Sequence, residues 1–298
     1  MSKQVKNGTA PTKYKQNSQF REVSRRLLRN KKAVAAMIVV ALLLLMVIFA
    51  DVISPLSKGT DINPMARLKS PCWEYPFGTD KFGRDMFTRV IHGSRVSLLM
   101  GFGATLVGAL FGTLIGTTGA YLGGKVDDII MRILDVWMAI PSLLITLAII
   151  AGIGVGIPQM VVALAFGSIP GFARTLRAAA LGVVNQEYVE SARALGAKNG
   201  RIIGKYVVPN VMSQILIQTT MNVSGIILLG ATLSFLGLGA QPPTPEWGAM
   251  LNEGLADYQF YPYLVNIPGV FLAITALSIN ILGDALRDAF DPKLKGKA

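Results

Sequence analysis

Few side chains in this sequence could do chemistry, and their spacing suits binding better than catalysis. Cys72 is the sole cysteine and His92 the sole histidine. Neither an internal disulfide nor a metal cluster follows from them, since metal sites need several convergent ligands; His92 reads as a surface or interfacial residue. Residues 119–125, GAYLGGK, fit G-x4-G-K, the start of a phosphate loop. Val126 stands where a Ser or Thr would hold magnesium, and the segment follows an apolar helix rather than a strand, so it is not read as a nucleotide site. Two constellations remain. Gln214, Gln218 and Asn222 recur at i, i+4, i+8 and set three amides on one face of a helix inside an apolar segment. Such amides either line a watered path for a solute or bond to a neighbouring helix. Residues 185–210, NQEYVESARALGAKNGRIIGKYVVPN, form a polar, basic island between long apolar segments.

The local signals within that island predict two helices and a hinge. Asn185 is a suitable N-cap, and Glu187 lies in the first turn, where the helix dipole favours an acid. Tyr188, Ala192 and Leu195 fall on one apolar face at i, i+4, i+7, and Glu190 with Arg193 make an i, i+3 pair on another. Gly196 can take a left-handed conformation and end the first helix. Asn199-Gly200 marks a turn, and a second short helix is expected to run to Val208, before Pro209. A protruding helix–hinge–helix can dock in another protein's groove and transmit a push; the plainer alternative is a surface hairpin between spans.

Composition supplies the frame for both constellations. Of the 298 residues 52% are hydrophobic and 15% charged, against about 25% charged in soluble domains, which points to a multi-pass membrane protein. The net charge of +12 is not read as nucleic-acid binding, because the basic residues flank apolar spans as the positive-inside bias requires. Six spans are expected, at residues 33–50, 96–121, 136–151, 160–172, 215–236 and 264–282, with both termini cytoplasmic. The division is a tail at 1–32, the first span with an external loop at 33–95, a core at 96–288 and a tail at 289–298. In the first tail Phe20, Val23, Leu27 and Leu28 alternate with arginines, either a basic amphipathic helix on an anionic membrane face or a charged stop; it is not read as a cleavable leader. Thr79 or Asp80 is expected to cap the helix entering the second span. There Ala104, Gly108, Gly112, Gly116 and Ala120 recur every four residues, a flat stripe that lets a second backbone approach. Residues 127–132 read as a short charged turn. Pro141 should kink the third span, and Gly167, Pro170 and Gly171 interrupt the fourth. The loop at 237–263 carries Glu246, Glu253 and Asp257 without Lys or Arg, placing it outside.

A family resemblance sharpens the reading. Glu190-Ser191-Ala192, then Gly196, then Pro209 resembles the EAA loop of ATP-binding-cassette (ABC) importer membrane subunits, with Ser191, Tyr206 and Val208 departing from the family's Ala, Ile and Leu. PFGTDKFGRDMFTRVIHGSRVSLL, LSFLGLGAQPPTPEWGAML and NILGDALRDAFDP resemble the C-type permease of the peptide/nickel (oligopeptide/dipeptide) importer family, over nearly the whole chain from Ser18. The resemblance implies an all-α membrane protein of the type I ABC importer permease fold, with six transmembrane helices and a cytoplasmic coupling-helix loop between the fourth and fifth. It implies a second, homologous permease, two cytoplasmic ATPase subunits and an extracytoplasmic solute-binding protein as partners, in a bacterial or archaeal cytoplasmic membrane. Glu190, Ser191, Ala192, Leu195, Gly196 and Pro209 would couple to the ATPases, which would hold the ATP and magnesium; this chain would bind no cofactor and catalyse no reaction. The cargo would be di- or oligopeptides, or alternatively nickel or a nickel chelate. An ATP-independent secondary transporter is disfavoured, because no internal repeat and almost no mid-membrane charge is present. A non-transporting scaffold would have no use for the amide face of Gln214, Gln218 and Asn222.

Overall fold

The computed structural model describes residues 19–290, and its regular elements are all helical. In chain order they are α1 (Gln19–Arg29), α2 (Lys31–Ile48), α3 (Met86–Leu122), α4 (Gly124–Met138), α5 (Ser142–Ile153), α6 (Ile157–Val184), α7 (Glu187–Ala194), α8 (Asn199–Ile202), α9 (Met212–Phe235), α10 (Trp247–Leu255) and α11 (Tyr263–Phe290). Short turns of helix occupy part of the α2–α3 connection. The expected tails up to residue 18 and from residue 291 lie outside the described residues.

Four helices, α2, α3, α9 and α11, are long and apolar enough to cross a membrane, and α4 with α5 adds a fifth if that pair, bent by 85°, is one span. The bend falls at Pro141, which has no N–H to continue the α4 ladder and stands just ahead of α5. The charged residues 127–132 sit inside α4 rather than in a turn, because Asp127 pairs with Arg177 of α6 and need not leave the helix to be solvated. α6 runs on through Pro170 and ends at Val184, twelve residues past the expected end of the fourth span at 172. Burial of Ala163, Leu164, Phe172, Ala173 and Leu176 outweighs the local cost of the proline.

α3 is the central helix and touches α2, α4, α6, α9, α10 and α11. Its cap is Asp85, not Thr79 or Asp80: the Asp85 carboxylate accepts from the N–H groups of Phe87 and Thr88. Thr79 instead donates to the Ala66 carbonyl, and Asp80 is held by Arg84 at 2.6 Å. The small-residue stripe faces α6. A Cβ on Gly108, Gly112 or Gly116 would stand 2.0–2.3 Å from Ser168 Oγ, Phe172 Cβ or the Ala173 carbonyl oxygen, so only glycine permits this approach. On the opposite side, Val90, Leu98, Val223, Ile227, Trp247 and Ile279 share one core. α2 is peripheral, its Leu42, Leu44, Leu45 and Ile48 exposed. Arg95 ties its end to α3, donating to the Val47 carbonyl at 2.7 Å and to Asp51 at 2.8 Å; the hydrogen bond holds the Asp51 carboxyl below its usual range. His92 is buried, with Nε2 2.8 Å from the Ser54 carbonyl oxygen, an internal strut rather than a surface residue. α1 is a separate helix beside α11, with Val23 buried and Leu28 exposed.

Candidate functional site

The island at 185–210 folds as a helix, a left-handed residue and a second helical segment. Asn185 closes α6, and Gln186, in extended conformation, precedes the first residue of α7. Gly196 has φ 77°. The Ala197 N–H reaches the Ala192 carbonyl at 3.1 Å and the Gly196 N–H the Arg193 carbonyl at 3.0 Å, the paired bonds of a Schellman turn. α8 then continues through a π-helical turn (Ile203–Val207) and a last turn (Val208–Asn210). Pro209 therefore lies within helix and does not stop it, because a proline N early in a turn forfeits no needed bond.

The inner face of α7 is Val189 and Ala192, packed with Ala120, Tyr121, Ala180, Val184, Ile202, Val207 and Val211. Only Ala192 of the expected face joins this core; Tyr188 and Leu195 point away, and Leu195 is 87% exposed. Glu190 and Ser191 are exposed as well. Arg193 does not serve chiefly as a partner for Glu190: its guanidinium lies 5.2 Å from the Tyr121 ring centroid. Tyr121 also donates to Asn199 Oδ1 at 3.2 Å.

A cavity of about 430 Å³ opens where α4 breaks from α5, walled by Trp137, Met138, Ile140, Pro170, Gly171 and Asn222 among others. The breaks read from the sequence at Pro141, Gly167, Pro170 and Gly171 thus meet around one space. Of the three amides, Asn222 reaches it; Gln218 and Gln214 lie one and two turns away on α9, half-buried and outside its lining. Asn222 donates to the Gln218 carbonyl of its own helix at 2.8 Å, while polar contacts from α9 to its neighbours are made by Ser224 with Asn280 of α11 and by the Phe235 carbonyl with Asn252 of α10. The GAYLGGK segment is the corner where α3 turns into α4.

At the end of the bundle away from residues 185–210, a charged cluster binds α3 to α10. Arg84 and Arg89 both donate to Glu253, at 2.6 and 2.8 Å, and Arg84 also to Asp80. Glu246 caps α10 through the N–H groups of Gly248 and Ala249, and accepts from Ser97 at 2.8 Å. Trp247 is fully buried, its indole N–H on the Val90 carbonyl. Pairings such as Arg89 with Glu253 join residues far apart in the chain and have no local signature; the same holds for Tyr121, Asp127 and Arg177.

Residues 104–296 match the family described as binding-protein-dependent transport system inner membrane component, and residues 18–71 match the N-terminal TM domain of oligopeptide transport permease C. The dipeptide transport system permease protein DppC of Alkalihalophilus pseudofirmus is 40% identical over 278 residues, covering 93% of this chain and 91% of that protein. The glutathione transport system permease protein GsiD of Escherichia coli is 42% identical over 277 residues, with 93% and 91% covered. Among solved structures, the inward-facing MetNI methionine ABC transporter is similar with a TM-score of 0.55 at 21% identity, over 69% of this chain and 98% of that one. An amino acid ABC transporter has a TM-score of 0.52 at 18% identity, over 68% and 94%. At these identities the likeness to the solved structures is one of fold alone.

Proposed function

This chain belongs to the family of inner membrane components of binding-protein-dependent transport systems, as a permease of the peptide/nickel ABC importers, and from that premise we propose that it forms half of a translocation pore for short peptides, driven through residues 185–210. The observation that carries the proposal is the two-sidedness of that loop. Val189, Ala192, Ile202 and Val207 fix it to the bundle, while Leu195, Tyr188 and Glu190 are left outward beside the Gly196 hinge. An element packed on one side, and on the other showing Tyr188 and Leu195 among the charges of Glu187, Glu190 and Arg193, suits docking in a groove of a second protein.

In this reading α2, α3, the broken pair α4–α5, α6, α9 and α11 are six spans with both termini in the cytoplasm. The loop seats Glu190, Ser191, Ala192, Leu195, Gly196 and Pro209 at one of two ATPase subunits, which bind the ATP and magnesium. A second, homologous permease closes the pore, and a binding protein delivers solute to the outer face. Asn222 and the cavity at the α4–α5 break belong to the path; Gln214 and Gln218 extend it along α9. The dipeptide and glutathione names of the relatives favour short peptides over a nickel chelate. Among the described residues, no group of three or more His, Cys, Asp and Glu side chains is placed to hold a metal ion.

The test is reconstitution of the chain with its companion subunits in liposomes, offering dipeptides, glutathione and a nickel chelate. Peptide-stimulated ATP hydrolysis with peptide uptake is the expected result. A stable complex without ATPases that transports on a proton gradient alone would overturn the proposal.

A further inference from the structure

Tyr121 is the next-to-last residue of α3 and is 7% exposed. It bridges the loop's hinge. Its ring lies under the guanidinium of Arg193, and its hydroxyl bonds to Asn199. Arg193 and Asn199 stand three residues before and after Gly196, so one side chain holds both flanks of the left-handed residue. Two and three residues beyond Tyr121, Gly123 and Gly124 have φ 61° and 51° and turn the chain into α4. The far end of α4 carries Trp137 and Met138 into the cavity wall. The same corner is tied a second time by Asp127 near the start of α4, which accepts from Nε and Nη2 of Arg177 on α6, the helix that leads into the loop.

We infer that Tyr121 is the positioning residue that converts a change of angle at Gly196 into movement of the α3–α4 corner, and through α4 into movement of the cavity wall. The inference rests on the reading that the loop receives the partner's stroke. A hydroxyl bond to α8 and a ring-face contact to α7 are both directional. If the two helices pivot about Gly196, the tyrosine cannot keep both contacts unless the corner follows. An apolar contact alone would slide. The glycines at 123 and 124 leave the corner free to turn, and the Arg177–Asp127 pair makes it turn with α6.

The experiment compares Tyr121→Phe, Asn199→Ala and Asn199→Asp in the complete reconstituted complex, measuring peptide uptake and ATP hydrolysis in parallel. Tyr121→Phe keeps the ring under Arg193 and removes only the hydroxyl. Assembly and hydrolysis are expected to stay close to the unmodified complex, while peptide moved per ATP falls about five-fold or more, the lower range of an allosteric coupling. Asn199→Ala should give the same loss, the double variant no further loss, and Asn199→Asp, which keeps an acceptor, a preserved ratio. An unchanged ratio in Tyr121→Phe, or equal losses of uptake and hydrolysis, overturns the inference. Failure of the unmodified chain to bind ATPase subunits overturns the docking reading itself, and the inference with it.

Discussion

Gly116 on α3 and Gly182 on α6 are both helical glycines, yet their surroundings are opposite. A Cβ on Gly116 would lie 2.3 Å from the Ala173 carbonyl oxygen and 2.9 Å from the Arg177 nitrogen, both backbone atoms that cannot swing aside, whereas nothing lies within 4 Å of one on Gly182. Gly116→Val should therefore force α3 and α6 apart and cost at least about 1–3 kcal/mol. Gly182→Ala should cost nothing and gain up to about 1 kcal/mol of helix propensity. Thermal unfolding of the detergent-solubilised complex separates the two, and equal melting would refute the close approach. The stripe from Ala104 to Ala120 is legible in the sequence because a four-residue repeat is a local property of one helix. Its partner is not, since no local signal in residues 163–177 names the face that α3 occupies. Tyr121 escapes a sequence reading for the same reason: its role lies in Arg193 and Asn199, some seventy residues on.

Among the elements, the loop keeps the expected helix, Gly196 turn and second helical segment, but not the expected cap at Asn185, the face of Tyr188 and Leu195, or the stop at Pro209. Gly196 is an end signal in the sequence and an end in the structure, at φ 77°. The differences there come from reach. Asn185 has the chemistry of a cap but is taken by the last turn of α6, a helix whose length is hidden because Pro170 and Gly171 look like breaks. Packing against α3 carries the helix past both. Tyr188 and Leu195 have the spacing of a packed face, but the face the bundle uses is one residue over at Val189. Gly196→Val should abolish ATP-driven uptake while leaving the chain in the membrane. A β-branched residue in the left-handed region is strained by about 1–2 kcal/mol, and the Schellman bonds depend on that conformation. Normal uptake at normal expression would remove the hinge from the mechanism.

For the whole molecule, the charged cluster of Arg84, Arg89 and Glu253 is one fastening between α3 and the segment after α9, beside the buried Trp247 and Glu246 contacts. Arg84 and Arg89 are 3% and 0% exposed and share Glu253. Glu253→Ala leaves two buried guanidinium groups short of a counter-charge, and breaking such a pair costs about 3–5 kcal/mol, towards the lower figure here because the glutamate side chain is 19% exposed. The melting temperature of the complex should drop clearly, and a melting curve superimposable on the unmodified one would show that Asp80 alone suffices. That cluster sits at the first turns of α3, and Tyr121 at its last. α3 has 37 residues, a shaft about 55 Å long, gripped at both ends. Tilting it by about 5° shifts one end by about 5 Å against the other, with no joint between to absorb the motion. In the proposed transporter such a lever would join opening on one side to closing on the other in a single stroke.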